Sequence, residues 1–354
     1  MHKSLLVNLS CVILALSFFT TVSKSLSTYT DQCSDENQKI AYVSDDVVDQ
    51  SDIYVVDMSG TNRSNLTQSN SLNDSPNWSP DGSQIAFISN RDGNWQIYKM
   101  DQDGSHVKNL TNEKSDDTNP SWSPDGRHIA FASNRDNPNG LNAQIYIMNS
   151  DGSNLVNVSN NAFQNYFPVW SPDSKQIAFI SNDGKNAKIV LADLANKTTQ
   201  FLDVTADVNG LSWSSDGKQL AFEARIDEKH KIYTIGYNGT NLNKLTDESI
   251  NDSQPRWSPI GSDILFWTDR DKNLEIYIMD SEGNNARNLT LNSSGDTGGM
   301  WSPTGSHIVF QTGRDKNRNT LYVMDSTGKN PHKIADQVLL FAYAWQPCQV
   351  SLSN

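Results

Sequence analysis

The side chains best suited to chemistry in this chain are carboxylates that recur in step. Just ahead of seven regularly spaced tryptophans stand Asn73-Asp74, Asp117-Thr118, Asn165-Tyr166, Val208-Asn209, Asp252-Ser253, Asp296-Thr297 and Leu340-Phe341. Four of these pairs supply an acid (Asp74, Asp117, Asp252 and Asp296), while Tyr166 and Phe341 supply aromatic surface. Acids gathered round one opening attract a basic or mixed peptide segment, or a cation, and rings beside them add apolar contact area. The competing reading is that these aspartates cap the turns leading into the next strand. Other chemistry is sparse. No Gly-X-Ser-X-Gly elbow, His-Glu-X-X-His helix or phosphate-binding loop occurs. His106, His128, His230, His307 and His332 are scattered among the repeats. The Ser-Asp-Gly and Asp-X-Asp-Gly segments are too short to offer six or more oxygens to calcium. No catalytic, cofactor or metal residue is therefore assigned.

The elements that must position these residues follow from the tryptophans. Trp78, Trp122, Trp170, Trp213, Trp257, Trp301 and Trp345 are spaced by 44, 48, 43, 44, 44 and 44 residues, the signature of one unit repeated. Six open Trp-Ser-Pro-Asp-Gly, as at 78–82 and 122–126, or a near variant of it, and the seventh, Trp345-Gln-Pro, is truncated; in the full phrase Pro fixes φ, Asp caps locally and Gly accepts positive φ. An apolar run follows, such as Gln84-Ile-Ala-Phe-Ile-Ser89, too short for a helix and rich in β-branched and aromatic residues. Next come a polar turn (Ser89-Asn-Arg-Asp-Gly93), a second strand containing Gln96-Ile-Tyr98, a hairpin signal (Asp101-Gln-Asp-Gly104) and a short last strand at Asn109-Leu-Thr111. With the stretch leading into each Trp, every period holds four strands.

Four antiparallel strands repeated radially describe an all-β propeller. The unit beginning at Lys39 lacks its leading Trp strand, and Phe341-Ala-Tyr-Ala-Trp345 is that strand with nothing following it. The two partial units make one whole, which predicts a seven-bladed β-propeller of four-stranded antiparallel blades, closed by the C-terminal strand completing the first. Each Trp is expected to pack between neighbouring blades.

A basic start, an apolar stretch from Leu5 to Phe19 and small residues to Ser27 read as a signal peptide over 1–27, with no stable membrane insertion after its cleavage. A short segment 28–38, one propeller domain over 39–348 and a tail 349–354 would complete the chain. Cys33 and Cys348 flank the two ends of the closing blade, so a disulfide between them is expected after export. The net charge of −13 becomes two units more negative when Lys3 and Lys24 leave with the leader, which opposes nucleic-acid and anionic membrane partners. A monomer is expected.

The recurring Trp-Ser-Pro-Asp-Gly, Ile-Ala-Phe, Ser-Asn-Arg-Asp and Ile-Tyr phrases resemble the repeat of the TolB-type propeller family over about residues 39–347. The resemblance implies blades around a central channel; TolB itself is a periplasmic protein of the Tol–Pal envelope system that binds partner proteins. Related repeats occur in prolyl-oligopeptidase-like peptidases and some polysaccharide lyases. TolB is expected to carry an α/β domain before six blades, whereas seven are counted here with only a short preceding segment, which argues against membership of Tol–Pal. The expected function is an exported, non-enzymatic interaction scaffold that takes a protein or peptide at the channel mouth. The alternative is an enzyme acting on carbohydrate or another envelope polymer within the channel.

Overall fold

The computed structural model describes residues 34–348 apart from 36–37, 46–49, 138–141, 205, 227, 248–249 and 316–318. The expected signal peptide and Cys33 lie outside the described residues.

Twenty-eight strands form seven four-stranded antiparallel sheets. The innermost strands end at the repeated tryptophans: β4 (Asn73–Trp78), β8 (Asp117–Trp122), β12 (Gln164–Trp170), β16 (Asp207–Trp213), β20 (Asp252–Trp257), β24 (Asp296–Trp301) and β28 (Val338–Trp345). These strands touch one another in unbroken succession around the ring, β28 against β4 included. The first blade joins β28 to β1 (Lys39–Ser44), β2 (Asp52–Asp57) and β3 (Ser64–Asn65), with Ile40 opposite Trp345 and Tyr42 opposite Tyr343. The ring is closed as the repeat count predicts. The outermost strands are shorter than expected, only two residues in five of the blades.

The Trp-Ser-Pro-Asp-Gly phrase builds one turn repeatedly. In blade 2 the Ser79 hydroxyl donates to Asp81 (2.6 Å) and accepts from the Gln84 amide (2.9 Å), while the Gly82 amide donates to the Ser79 carbonyl (2.8 Å). Blade 7 has Thr304 where blades 2 to 5 have that aspartate, and a carboxylate arrives from elsewhere. Asp35 accepts from Thr304 (2.7 Å) and Ser306 (2.6 Å) and pairs with His307 (3.0 Å), tying the N-terminal segment to that turn. Burial alone would push the Asp35 carboxyl up. The hydrogen bonds from Ser302, Ser306, Thr304 and His307 instead bring it below its ordinary value.

All seven tryptophans are buried, and one apolar cluster occupies each of the seven blade interfaces. The rings also stitch blades through hydrogen bonds, which packing alone does not require. Nε1 of Trp170 donates to the Ser121 carbonyl of the preceding blade (2.9 Å). Those of Trp78, Trp213, Trp301 and Trp345 do likewise to Ala344, Val169, Arg256 and Met300. The indoles of Trp122 and Trp257 have no such acceptor among the described residues.

Each innermost strand is broken by a bulge carrying a left-handed residue. Six lie three positions before the Trp: Ser75, Asn119, Phe167, Gly210, Gln254 and Gly298. In β28 the pairing with β1 lapses between Tyr343 and Val338, a wider excursion with Phe341 at φ +60°. Only two of these positions are glycine, so the bulge is held by its surroundings and not by a permissive residue.

Candidate functional site

The bulges decide where the sequence-predicted site residues go. Five residues before the Trp, the side chain enters its own blade; one residue later the chain has turned over. Asp117, Asp252 and Asp296 are consequently 0% exposed, each held by an arginine of the following strand connection. Arg135 Nη2 reaches both Asp117 oxygens (3.0 and 3.1 Å), Arg270 reaches Asp252 (2.8 Å) and Arg314 reaches Asp296 (2.9 Å). Asn73 receives Arg91 in the same way (2.9 Å). The four guanidinium groups also lie over a Phe and a Tyr of their blade, as Arg135 does over Phe131 and Tyr146 at 5.4 and 4.8 Å. Burial pushes the Asp117 and Asp296 carboxyls above their ordinary value, and their hydroxyl partners (Ser133 for Asp117, Thr312 for Asp296) and arginines offset this only in part. These three acids stand inside the blades. The signal that would have located them is an Arg eighteen residues downstream of each acid, in the Ser-Asn-Arg-Asp phrase or its variants.

Asp74, Tyr166 and Phe341 sit differently. Asp74 is half-buried, accepts from the Ser75 amide (2.5 Å) and meets no cation among the described residues; burial pushes its carboxyl up. Tyr166 is half-buried with its ring edge-on to Phe167 at 5.2 Å, and Phe167 is exposed. Phe341 and its neighbour Leu340 are also exposed, on the excursion of β28. Gln311 fixes that excursion by accepting from the Phe341 amide (2.8 Å) and donating to the Leu339 carbonyl (2.9 Å). Gly298 makes room for it: a Cβ there would lie 2.8 Å from the Phe341 ring. The structure thus brings an exposed apolar set and one uncompensated carboxylate to the innermost strands. The expected partner of Cys348 lies outside the described residues, so their pairing remains a proposal.

A residue that the repeats concealed is Arg256, one position before Trp257. The equivalent positions are Ser121, Val169 and Ser212 on one side of the ring, and Asn77, Met300 and Ala344 on the other. Asn77, Arg256, Met300 and Ala344 line a cavity of about 550 Å³ at the tryptophan end of the innermost strands. Among the described residues no three His, Cys, Asp or Glu side chains gather as metal ligands would.

Residues 18–210 and 137–347 each match the model of the TolB beta propeller domain. The chain belongs to that family. Its fold is similar to that of TolB from Acinetobacter baumannii, with 23% identity, a TM-score of 0.60, and 92% of this chain and 71% of that one covered. An oligogalacturonate lyase solved in complex with manganese is similar at 16% identity and TM-score 0.63, covering 83% of each chain. The propeller domain of the Trilobed protease from Pyrococcus furiosus is similar at 14% identity and TM-score 0.65, covering 85% of this chain and 96% of that one. That propeller is described as having an open velcro topology, whereas β28 pairs with β1 here. No curated protein matches the chain in sequence.

Proposed function

We propose that this TolB-like propeller is an exported, non-enzymatic scaffold that captures a partner protein through an extended peptide segment at the mouth of its lumen. The observation that carries the reading is the exposure of Leu340, Phe341 and Phe167 on innermost strands, beside the half-buried Tyr166. Phe341 and Phe167 are bulky residues held in the left-handed region at φ +60° and +54°. Every innermost strand has a left-handed residue at its bulge; at these two the residue is a phenylalanine, so the shared bulge fixes the backbone that carries an apolar ring. Asp74, short of a cation, favours a basic residue in the same segment. The apolar stretch and small residues ahead of Ser27 support export, and the closing Cys33–Cys348 disulfide belongs to that reading.

The test is capture of envelope proteins by wild-type chain and by Phe167→Ala/Phe341→Ala. Both residues are nearly half exposed, so the double variant is expected to lower the melting midpoint little while losing the captured partner. Undiminished capture, or turnover of a polysaccharide by the wild type in a parallel screen, defeats the proposal.

A further inference from the structure

Arg91, Arg135, Arg270 and Arg314 are all paired inside their blades; Arg256 is not. Its guanidinium makes no hydrogen bond or ion pair with any described residue, although its backbone carbonyl accepts from Trp301 (3.1 Å). It is half-buried at the cavity wall, and the partial desolvation holds it below its ordinary value, with the Tyr343 phenol, on β28, acting the other way. Tyr343 is itself engaged, donating to the Gly298 carbonyl. A charge drawn partly out of water without a partner is costly, and the corresponding positions of the other six blades avoid it with Asn, Ser, Val, Met or Ala.

The cavity that Arg256 shares explains what such a charge can do. Its walls come from four consecutive blades and include Asn77, Met300, Pro76 and the rings of Trp257 and Trp301. The Asn77 carbonyl oxygen is occupied by the Trp122 amide (2.9 Å), which turns the NH2 end of that side chain into the available donor. One planar cation and one amide donor, set among proline, methionine and indole, suit a planar anion attached to an apolar group. Phosphate or sulfate would leave more oxygens unsatisfied on these walls.

We propose that Arg256 is the anchor of a carboxylate-binding site at the tryptophan end of the lumen, taking the terminal or side-chain carboxylate of a bound peptide. Only the source of the carboxylate rests on the scaffold reading; the site itself does not. With Asp74 short of a cation on the same set of strands, a peptide in the lumen meets opposite charges at different positions and is bound in one direction.

The site is tested with N-acetyl-leucine, its uncharged amide N-acetyl-leucinamide, and inorganic phosphate. Each is titrated into the whole protein by calorimetry and by tryptophan fluorescence, since Trp257 and Trp301 line the cavity. The carboxylate is expected to bind at least about tenfold more tightly than the amide or phosphate. Arg256→Gln should erase that preference and Arg256→Lys retain part of it, because an ammonium lacks the planar fork. Arg256→Gln should also leave the melting midpoint unchanged or raised, since it removes an unpaired charge. Equal binding of acid and amide, a preference for phosphate, undisturbed binding in Arg256→Gln, or a marked fall in its midpoint would each overturn the proposal. Probe binding without partner capture keeps this site and removes the scaffold reading; capture without probe binding does the reverse.

Discussion

Blades 2, 3, 6 and 7 are plugged by an arginine; blades 4 and 5 are not. In the first group the guanidinium bonds to Asn73, Asp117, Asp252 or Asp296 and lies over two rings. In blade 5 the matching position is Val208, buried in an apolar cluster with Leu211, Leu202 and Phe222 that joins blades 4 and 5. Arg225 instead pairs at the surface with Glu228 (2.5 Å). Blade 4 uses Asn165, tied to Asn161 and the Phe163 carbonyl (2.9 Å each). Strands β12 and β16 are also seven residues long, against six in β4, β8, β20 and β24. One backbone is therefore completed by three chemistries. The arginine contact is absent from blades 4 and 5, whereas a buried apolar cluster at the interface is common to all seven blades.

The largest blow to that comparison is dealt by a substitution that ignores it. Trp213→Ala, at the apolar interface of blades 4 and 5, should cost about 3–5 kcal/mol, read as a lowered urea midpoint. Arg135→Ala is expected to cost about 3 kcal/mol, because it strands Asp117 without a cation. Asp117→Val/Arg135→Leu, which copies the Val208 solution into blade 3, should stay within about 1 kcal/mol of wild type. A double variant as damaged as Arg135→Ala would show that the charge pair itself holds the blade. Asp35→Asn should cost about 1–2 kcal/mol at neutral pH. The folded carboxyl lies below its ordinary value of 3.8, so its contribution is complete above that value and lost as pH falls through the folded one. The wild-type and Asp35→Asn midpoints should converge in acid. The smallest effect separates two tryptophans: Trp170→Phe loses the bond to Ser121 and should cost about 1 kcal/mol more than Trp122→Phe, whose indole has no acceptor among the described residues.

The ring itself was legible because its causes are local and repeated. Pro, Asp and Gly declare the turns, apolar runs declare the buried strands, and the stray Trp345 strand declares the closure. The aspartates ahead of each Trp were harder to place. Which way they point is set by a bulge at Ser75, Asn119 or Gln254, and of these types only Asn favours positive φ, so no common residue announces it. Arg256 was hidden for the opposite reason. Reading a repeat means attending to what recurs, and the informative residue is the one that does not.

Completing the first sheet with β28 has a consequence for how the molecule is born. A chain synthesised from its N-terminus presents β1 long before its neighbour on the inner side exists. Until Val338–Trp345 emerges, that flank is a bare ladder of donors and acceptors, open to any passing extended segment. Maturation thus waits on a few late residues, and a truncation just before them should yield not a six-sevenths propeller but a species prone to aggregate.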